Sequence, residues 1–564
     1  MPHEGRLELT WTNKRLRLLA YDDGSYEWVE PSDYRVAEVR LLRNLATVGE
    51  THPDRMRARD NLLIRGDALN ALTSLLELPE FAKEYAGKVR LAYIDPPFNT
   101  QQSFLQYDDA LEHSVWLTMM RDRLLQLKPL LRPDGSVWVH CDDSEQHRLR
   151  CVMDDVFGAE HFVATVIWEK SYTRENRTDI STVHDYIVVY AKDHRAWAEG
   201  RNLLPPTDDQ IGRYSNQDND PRGDWKALPF HAKAGPGRRA AQFYAITLPS
   251  GRTVMPPPGT CWRYTELRYK ELVTDKRVWF GRDGNAVPST KRFLSEVPAG
   301  LVPITIWRHG EVGTTGTAKA ETLQLLPGIP PFATPKPEGL LARIVHIASS
   351  PGEIVLDCFA GSATSAAVAH KLDRRWIAIE RDPAIVQSYG LPRVTKVVEG
   401  SDPGGITESA GWTGGGGFRR LEVAPSMFAS EAGFVFLADW ATNGALAEAT
   451  AAQLGYDYSP APPFCGSKGR TRLAVVDGLV NEAVARLLIT ALGPNERVVV
   501  CGTAIDPTAR PALKEMAPGS SLRKIPSSIL AKYRSRSFAE QTWEELLSAG
   551  GRPQPEGQAL PAHG

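Results

Sequence analysis

Apolar runs of strand length alternate with stretches of helical periodicity between residues 61 and 400. The run from Val89 to Ile94 is largely apolar and ends at Asp95. Downstream, Gly352–Asp357 and Arg375–Ile379 form two further short runs, and Ser365–Leu372 between them has helical character. Short apolar runs bounded by turn residues are typical of buried strands, and strands that alternate with helices indicate a parallel sheet. The pattern therefore predicts an α/β core.

The turn that follows the first of these strands has unusual chemistry. Ile94 is followed by Asp95-Pro96-Pro97-Phe98. In open α/β sheets, ligands bind beyond the carboxyl ends of the strands. Proline fixes its own φ angle, donates no backbone hydrogen bond and keeps the preceding residue extended. The result is a stiff loop that presents a carboxylate, backbone carbonyls and an aromatic ring. Such a loop suits the amino group of a nucleobase; the alternative is a purely structural turn.

A strand, a turn of small residues, a helix and a second strand run from Gly352 to Glu380. The turn is Cys358–Ser365, and the acidic residue Glu380 closes the second strand. In this arrangement the backbone approaches an adenosine-bearing cofactor, and a carboxylate about twenty positions further on binds the ribose hydroxyls. Because the turn is not Gly-x-Gly-x-x-Gly, a dinucleotide is disfavoured.

Together the two elements resemble the DNA amino-methyltransferases that use S-adenosylmethionine. Asp95-Pro96-Pro97-Phe98 matches the catalytic motif of that family. The segment Phe359–Thr364 resembles its cofactor loop, Phe-x-Gly-x-Gly-Thr, with Ala363 in place of the second glycine. The segment around Lys336 and Pro337 resembles the one that lines the methionine end of the cofactor. The resemblance implies a cofactor site built from Asp67, Lys336, Pro337, Asp357, Phe359, Gly361, Ser362, Thr364 and Glu380.

The order of the motifs narrows the resemblance. The catalytic motif precedes the cofactor loop, which marks the β class, in which the target-recognition region lies between the two. Residues 60–400 most resemble the modification subunits of type III restriction systems and their solitary relatives. The implied fold is a Rossmann-like methyltransferase sheet in permuted order, with an inserted β-rich target-recognition domain and a small C-terminal α/β domain.

The implied reaction is direct methyl transfer to adenine-N6 in a short DNA sequence. Asp95 and the Pro96 carbonyl would accept the two amine hydrogens, after the base has been flipped out of the duplex. Phe98 would stack on the base. Aspartate at the head of the motif favours adenine in this family. Cytosine-N4, an RNA substrate, or a nucleotide-binding DNA regulator without catalysis remain alternatives.

Composition and charge limit the number of domains, the use of the cysteines and the cellular compartment. With 564 residues, 42% of them hydrophobic, the chain can form two to four domains, and its formal net charge is −2. The cysteines are scattered without a Cys-x-x-Cys pair, so we expect neither a metal site nor disulfides. Without a leader-like or membrane-spanning apolar run, we expect a protein of the bacterial cytosol.

The chain divides into five expected segments. These are a β-rich N-terminal segment (1–60), the catalytic half (61–200), the recognition region (201–330), the cofactor half (331–400), and a glycine-rich linker with an α/β association domain (401–564). The last of these is expected to form a homodimer contact. No phosphate-binding loop of the Walker type is present, so a restriction or helicase subunit would be a separate chain. The same domain is a candidate contact for that subunit.

The middle segment is basic and rich in aromatic residues. From Trp225 to Gly310 there are about fourteen Lys and Arg against about five Asp and Glu. Basic residues contact phosphates and aromatic residues stack on bases; a small β domain with a solvated basic surface is the alternative. The predicted contacts with double-stranded DNA are Arg238, Arg239, Trp262, Arg263, Lys291 and Arg292.

Overall fold

The computed structural model describes residues 9–21, 25–99, 112–176, 178–206, 211–234, 240–297 and 300–534. The chain forms two compact units. One comprises the residues up to 202 together with those from 304 onward, and the other comprises residues 203–303. The smaller unit is thus an insertion in the larger one. Among the described residues, no helix is long and apolar enough to cross a bilayer.

The strands of the described chain, in sequence order, are β1 (Arg17–Ala20), β2 (Tyr26–Val29), β3 (Leu42–Gly49), β4 (Asn61–Arg65), β5 (Val89–Ile94), β6 (Leu131–Cys141), β7 (Phe162–Glu169), β8 (His184–Ala191), β9 (Trp225–Pro229), β10 (His231–Lys233), β11 (Ile246–Thr247), β12 (Thr253–Val254), β13 (Thr260–Trp262), β14 (Val278–Trp279), β15 (Ser289–Phe293), β16 (Ile306–Trp307), β17 (Ile354–Asp357), β18 (Arg375–Glu380), β19 (Gly417–Val423), β20 (Phe428–Glu431), β21 (Phe434–Leu437), β22 (Asp457–Ala461), β23 (Phe464–Lys468), β24 (Thr471–Val480), β25 (Arg497–Ile505) and β26 (Ser521–Lys524).

The α-helices are Tyr34–Ala37, Ala68–Glu77, Pro79–Tyr85, His113–Leu130, Gln146–Phe157, His194–Gly200, Glu266–Thr274, His309–Val312, Thr315–Leu325, Glu338–Ala348, Thr364–Lys371, Pro383–Ile385, Leu391–Val398, Thr407–Ala410, Asn443–Leu454, Glu482–Thr490 and Ala509–Met516. Short 3₁₀ helices lie between some of these elements, and a π turn at Val386–Gly390 precedes Leu391–Val398.

A ten-stranded sheet forms the centre of the larger unit, in the order β16-β7-β8-β6-β5-β17-β18-β4-β19-β3. The pairs β6-β5, β5-β17, β17-β18, β18-β4 and β4-β19 are all parallel. Helices such as Ala68–Glu77 and His113–Leu130 bury their apolar residues in the same core as these strands. The predicted α/β fold of Rossmann type is confirmed. The permuted order has a simple spatial meaning, because β5 and β17 are neighbours although about 260 residues separate them in sequence.

Strands from the segments before residue 60 and after residue 400 complete this sheet, contrary to the expected boundaries. From the N-terminal segment, β3 pairs antiparallel with β19, which in turn pairs with β4. The glycine run before β19 is therefore not the flexible linker that its composition predicted. A Cβ added at Gly417 would lie only 2.3 Å from the Glu50 carbonyl oxygen, so glycine permits a close backbone approach there.

The C-terminal region contains the α/β unit that the sequence predicts. Its sheet has the order β22-β23-β24-β25-β26, with β24, β25 and β26 parallel. This sheet is continuous with the main core rather than a separate body. The Gln453 side chain, from helix Asn443–Leu454, bonds both backbone groups of Val39, and Leu446 is fully buried in the core that also contains Leu42.

The inserted unit is smaller than the expected segment 201–330. It holds short sheets, β14-β15-β9, β10-β13 and β11-β12, around an aromatic core that includes Phe230 and Trp262. Helices His309–Val312 and Thr315–Leu325 belong to the larger unit instead.

Candidate active site

Four parallel strands end at one edge of the main sheet and bring the predicted motifs together. Asp95 follows β5, Asp357 ends β17, Glu380 ends β18, and Asp67 lies two residues after β4. Because parallel strands share the direction of their carboxyl ends, residues distant in sequence meet there. They line one cavity of about 910 Å³. Its walls include Asp67, Asp95, Pro96, Pro97, Phe98, Lys336, Asp357, Phe359, Gly361, Ser362, Thr364 and Glu380.

The loop Asp95–Phe98, called the catalytic loop after the motif that it resembles, accepts hydrogen bonds from two other segments. The Lys336 ammonium group donates to Asp95 Oδ2 at 2.5 Å. The Trp116 indole, from helix His113–Leu130, donates to the Pro97 carbonyl at 2.6 Å. Lys336 is only 8% exposed. The pair therefore links the catalytic loop to the segment that precedes helix Glu338–Ala348, across a wide gap in sequence.

Among the described residues, the Phe98 ring contacts a histidine and a lysine. It stacks on the His140 imidazole, with ring centroids 5.5 Å apart and an interplanar angle of 18°. The Lys336 ammonium lies over the Phe98 ring, 5.1 Å from its centroid. Phe98 is thus a half-buried aromatic surface whose neighbours are a fixed ring and a flexible cation.

His140 is the centre of a buried polar cluster that sequence analysis missed. It is fully buried at the end of β6, and its Nδ1 lies 3.2 Å from the Tyr93 hydroxyl. Its Nε2 lies 3.4 Å from Asp185 Oδ2, and Lys170 donates to Asp185 Oδ1 at 2.6 Å. Burial, and then the nearby Lys336 charge, lower the pKa of His140. Burial opposes ionisation of Asp185, but its close contacts with His140 and Lys170 prevail and hold its pKa at about 2.

The cofactor loop is stabilised by Asp357. Its carboxylate accepts the Phe359 backbone N–H at 2.9 Å and the Ser365 hydroxyl at 2.5 Å. Burial raises the pKa of Asp357 to about 7, against the lowering effect of these two bonds. Ala363 lies in the left-handed region with φ +58°, just before helix Thr364–Lys371. Glycine adopts this conformation without steric cost, which explains the glycine at this position in the Phe-x-Gly-x-Gly-Thr pattern.

Glu380 faces the same loop. Its Oε2 accepts the Gly361 N–H at 2.8 Å and its Oε1 accepts the Asp382 N–H at 2.9 Å. Burial raises the pKa of Glu380. Each carboxylate oxygen can accept a further hydrogen bond. A carboxylate fixed in this way at the cavity wall is suited to a ribose diol.

Asp67 and Pro337 are each the N-cap residue of a helix. Asp67 caps helix Ala68–Glu77 by accepting the Leu69 N–H at 2.7 Å, and it pairs with Arg123 at 3.2 Å. Pro337 is the N-cap residue of helix Glu338–Ala348 and is not among the residues that line the cavity. Its assignment to the cofactor site stays a prediction.

Further lining residues come from segments without a recognisable motif. Tyr21 and Tyr26, from the N-terminal hairpin, and Phe332 and Arg123 all line the cavity. Their sequence neighbourhoods carry no signal, because only the tertiary fold brings them to the sheet edge. In the described ranges no group of three or more His, Cys, Asp or Glu residues is placed to hold a metal ion.

The predicted DNA contacts divide into three groups. Arg238 and Arg239 lie outside the described residues. Trp262 and Lys291 are wrong as surface contacts. Trp262 is fully buried, and Lys291 is 3% exposed with its ammonium paired to Asp218 and Asp220.

Arg263 and Arg292 are exposed on the inserted unit. Arg292 on β15 lies directly opposite Lys226 on β9. Like charges placed opposite each other on a sheet destabilise it unless an anion lies near them.

Comparison with known proteins agrees with this geometry. The family described as DNA methylase matches residues 89–389. The chain belongs to this family. Over 337 residues it is 31% identical to the StyLTI type III restriction-modification enzyme Mod subunit of Salmonella typhimurium, covering 54% of this chain and 49% of that one. Over 422 residues it is 30% identical to the probable HindVI Mod subunit of Haemophilus influenzae, covering 65% and 54%. The chain thus spans about half the length of these relatives.

A likeness to solved structures is also found. PvuII DNA methyltransferase (cytosine-N4-specific) matches with 15% identity and a TM-score of 0.33, over 62% of this chain and 90% of that one. A DNA modification methylase of Thermus thermophilus, complexed with S-adenosyl-L-methionine, matches with 17% identity and a TM-score of 0.29, over 64% and 100%.

Proposed function

We propose that the protein transfers a methyl group from S-adenosylmethionine to the N6 amine of adenine in a specific double-stranded DNA sequence. One observation carries the proposal. The Asp95–Phe98 loop and the Asp357–Glu380 unit lie on the wall of a single cavity, on neighbouring strands. This arrangement supports the proposal, because a carboxylate that could accept a base amine and one that could bind a nucleoside border the same space.

The residues present fit the cofactor. Glu380 would bind the ribose hydroxyls, and the loop Phe359–Thr364 would lie along the nucleoside. Phe332 borders the loop, since its Cζ atom would lie 3.3 Å from a Cβ atom added at Gly361. The cofactor supplies an electrophilic methyl group on a sulfonium. The chain's own residues bind it, exclude water and fix its direction.

The base half of the cavity supplies acceptors for the amine. The lone pair of the adenine amine is delocalised into the ring, so the amine is a weak nucleophile. Asp95 and the Pro96 carbonyl, accepting its two hydrogens, favour a pyramidal nitrogen with its lone pair directed at the methyl group. The N–C bond would form as the S–C bond breaks, S-adenosylhomocysteine would be the leaving group, and the surplus amine proton would be lost to water after transfer. Alignment and preorganised acceptors account for the rate gain.

The choice of adenine rests on the motif. Aspartate rather than serine begins the tetrapeptide, which favours adenine-N6 in this family. Stacking of the extruded base on Phe98 would return about 1–3 kcal/mol toward the cost of extrusion. Cytosine-N4 methylation by the same geometry is the alternative.

The inserted unit, residues 203–303, is the proposed sequence reader. Its described surface carries exposed basic side chains, of which Arg263, Lys276, Arg282 and Arg292 are examples. The cationic pair Arg292 and Lys226 supports a phosphate contact on the β9–β15 face. Lys291 instead serves the folding of this unit, through its buried pairing with Asp218 and Asp220.

The relatives suggest a biological setting. Two are named as Mod subunits of type III restriction-modification enzymes. We infer a modification component of a restriction-modification or phage-defence system in the bacterial cytosol. It would act as a homodimer, and a restriction subunit would be a separate chain.

Methylation mapping tests the proposal. The full chain is expressed in a methylation-free host, and the DNA is analysed by base-resolved methylation detection and by nucleoside mass spectrometry. We expect N6-methyladenine at one short motif. Only N4-methylcytosine would overturn the choice of base, and unmodified DNA together with no binding of S-adenosylmethionine would overturn the activity.

A further inference from the structure

The Lys336 side chain occupies the place where the target amine is proposed to bind. Its ammonium donates to Asp95 Oδ2 at 2.5 Å and lies over the Phe98 ring. Asp95 and Phe98 are the two side chains assigned above to the base. An amine that donates to Asp95 Oδ2, and a ring that stacks on the face of Phe98 below the ammonium, must therefore compete with Lys336.

The electrostatics of the transfer make this competition consequential. The positive charge that begins on the sulfonium develops on the amine nitrogen as the N–C bond forms. An ionised Asp95 near that nitrogen stabilises the developing charge. An ammonium on the same carboxylate cancels much of this effect, because it already neutralises the charge at hydrogen-bond distance. The productive arrangement requires Lys336 to leave Asp95.

His140 and Lys336 both contact Phe98, and of these the lysine is the one able to move. His140 is fully buried and lies between Tyr93 and Asp185. Pro335 and Pro337 flank Lys336 and restrict its backbone. The lysine side chain itself is flexible and carries a compact charge. Its Nζ atom also lies 3.5 Å from the Thr334 carbonyl oxygen. This weak second contact could keep the ammonium partly bonded while it moves away from Asp95.

A buried ammonium that leaves one anion needs another. Lys336 is 8% exposed, so its charge is costly without a partner. The amino-acid part of the proposed cofactor carries a carboxylate, which is an anion of the required charge and size. We propose that Lys336 is a latch on the base site, released when the carboxylate of the cofactor takes its ammonium. The base then enters productively only after the cofactor. This inference rests on the proposed function.

The test uses base entry rather than turnover. The duplex carries 2-aminopurine at the target adenine of the mapped motif, since its fluorescence rises when it leaves the stack. Two ligands are compared at saturation on the full chain. S-adenosylhomocysteine carries the amino-acid carboxylate, and 5′-methylthioadenosine shares the nucleoside but lacks the carboxylate. Saturation is set by calorimetry for each ligand.

For the wild type we expect a several-fold rise in fluorescence with S-adenosylhomocysteine and little or none with 5′-methylthioadenosine. Lys336→Met removes the latch, so its fluorescence should be high with either ligand and without ligand. A purely structural role would lower base entry in this variant instead of raising it. Lys319→Met, which removes an exposed lysine from helix Thr315–Leu325, is the matched control and should behave as wild type.

The outcomes are separable. Equal fluorescence of the wild type with both ligands, or a Lys336→Met variant that still needs S-adenosylhomocysteine, would overturn the latch while leaving the methyltransferase proposal intact. A wild type that binds S-adenosylhomocysteine but never raises the fluorescence would contradict base extrusion itself. In that case the latch has no base to admit and is also overturned.

Discussion

At the scale of single residues, the cavity assigns different tasks to its carboxylates. Asp95 pairs with a cation on the proposed base side, whereas Glu380 accepts two backbone N–H groups on the proposed cofactor side. Asp357 stabilises the loop between them. Substitutions at these positions should therefore separate transfer, cofactor affinity and folding from one another.

Asp95→Asn and Glu380→Gln should have opposite profiles. Asp95→Asn keeps the shape of the side chain beside Lys336 but removes the charge that faces the amine, so transfer should fall at least about 100-fold with cofactor affinity retained. Glu380→Gln loses charge-assisted bonds to ribose, and the affinity for S-adenosylhomocysteine should weaken by about 1.5–3 kcal/mol. Calorimetry and a transfer assay on both variants check this. Unchanged affinity in Glu380→Gln would remove Glu380 from the cofactor site.

Asp357 should make stability depend on pH. Its pKa is raised to about 7 by burial, so between its ordinary value of 3.8 and 7 the folded state binds a proton that the unfolded state has lost. Ionisation of Asp357 therefore removes stability as the pH rises through this window, by up to about 1.4 kcal/mol per pH unit. Asp357→Asn cannot ionise. Urea unfolding of both proteins at pH 5 and pH 7 should show the variant gaining stability relative to wild type at the higher pH; a constant difference would contradict the assignment.

At the scale of elements, the strand-to-helix turn of the cofactor loop contains a local strain. Ala363 adopts φ +58° and is fully buried just before helix Thr364–Lys371. For a residue with a Cβ atom the left-handed conformation costs about 1 kcal/mol, and glycine avoids this cost. The turn keeps its shape because the Asp357 and Glu380 bonds to the loop determine it.

Ala363→Gly should stabilise the protein by up to about 1 kcal/mol, measured as a shift of the urea midpoint with an unchanged slope. Ala366→Gly, in the interior of the following helix, is the matched control and should destabilise by about 1 kcal/mol. Destabilisation by both substitutions would show that the methyl group of Ala363 packs more favourably than the strain costs.

The elements also show which features the sequence could predict. The motifs at the ends of β5, β17 and β18 are local, since each is a strand followed directly by its functional residues. The pairing of β3 with β19 is not local, because no short pattern indicates that Gly49 and Gly417 are partners. The prediction that Lys291 contacts DNA failed for the same reason. Its charge is visible in the sequence, but the positions of Asp218 and Asp220 around it are not.

At the scale of the whole molecule, we propose that chemistry and sequence reading belong to different units. The cavity lies within the larger unit, and residues 203–303 form a unit with a core of its own. If the inserted unit binds the phosphate backbone, its surface cations can be changed without disturbing the cavity. Substitution of these cations should then affect DNA binding differently from catalysis.

Charge reversal at Lys226 and Arg292 should weaken DNA binding and flatten its salt dependence. Each lost phosphate contact lowers the slope of log K against log salt concentration by about 0.9. Cofactor affinity should be unchanged. The control is Arg268→Glu with Glu271→Arg, which reverses an exposed ion pair of the same unit without changing its net charge. An unchanged salt slope in the Lys226 and Arg292 variant would place the DNA on another surface.

The proposed homodimer can be tested without removing the C-terminal region. A chain that ends at Gly417 would lose β19, which lies inside the main sheet, so truncation would disrupt the fold rather than an interface.

Exposed apolar side chains of the C-terminal unit offer a milder change: Leu479 on β24 is 53% exposed, and Leu487 on helix Glu482–Thr490 is 63% exposed. We expect the full chain to be a dimer by light scattering and the double variant Leu479→Asp, Leu487→Asp to be a folded monomer, because two buried charges would oppose association. Leu267→Asp, at a leucine that is 72% exposed on the inserted unit, should remain dimeric. A full chain that is monomeric at micromolar concentration, with and without DNA, would exclude the dimer, and a dimeric double variant would move its interface away from this surface.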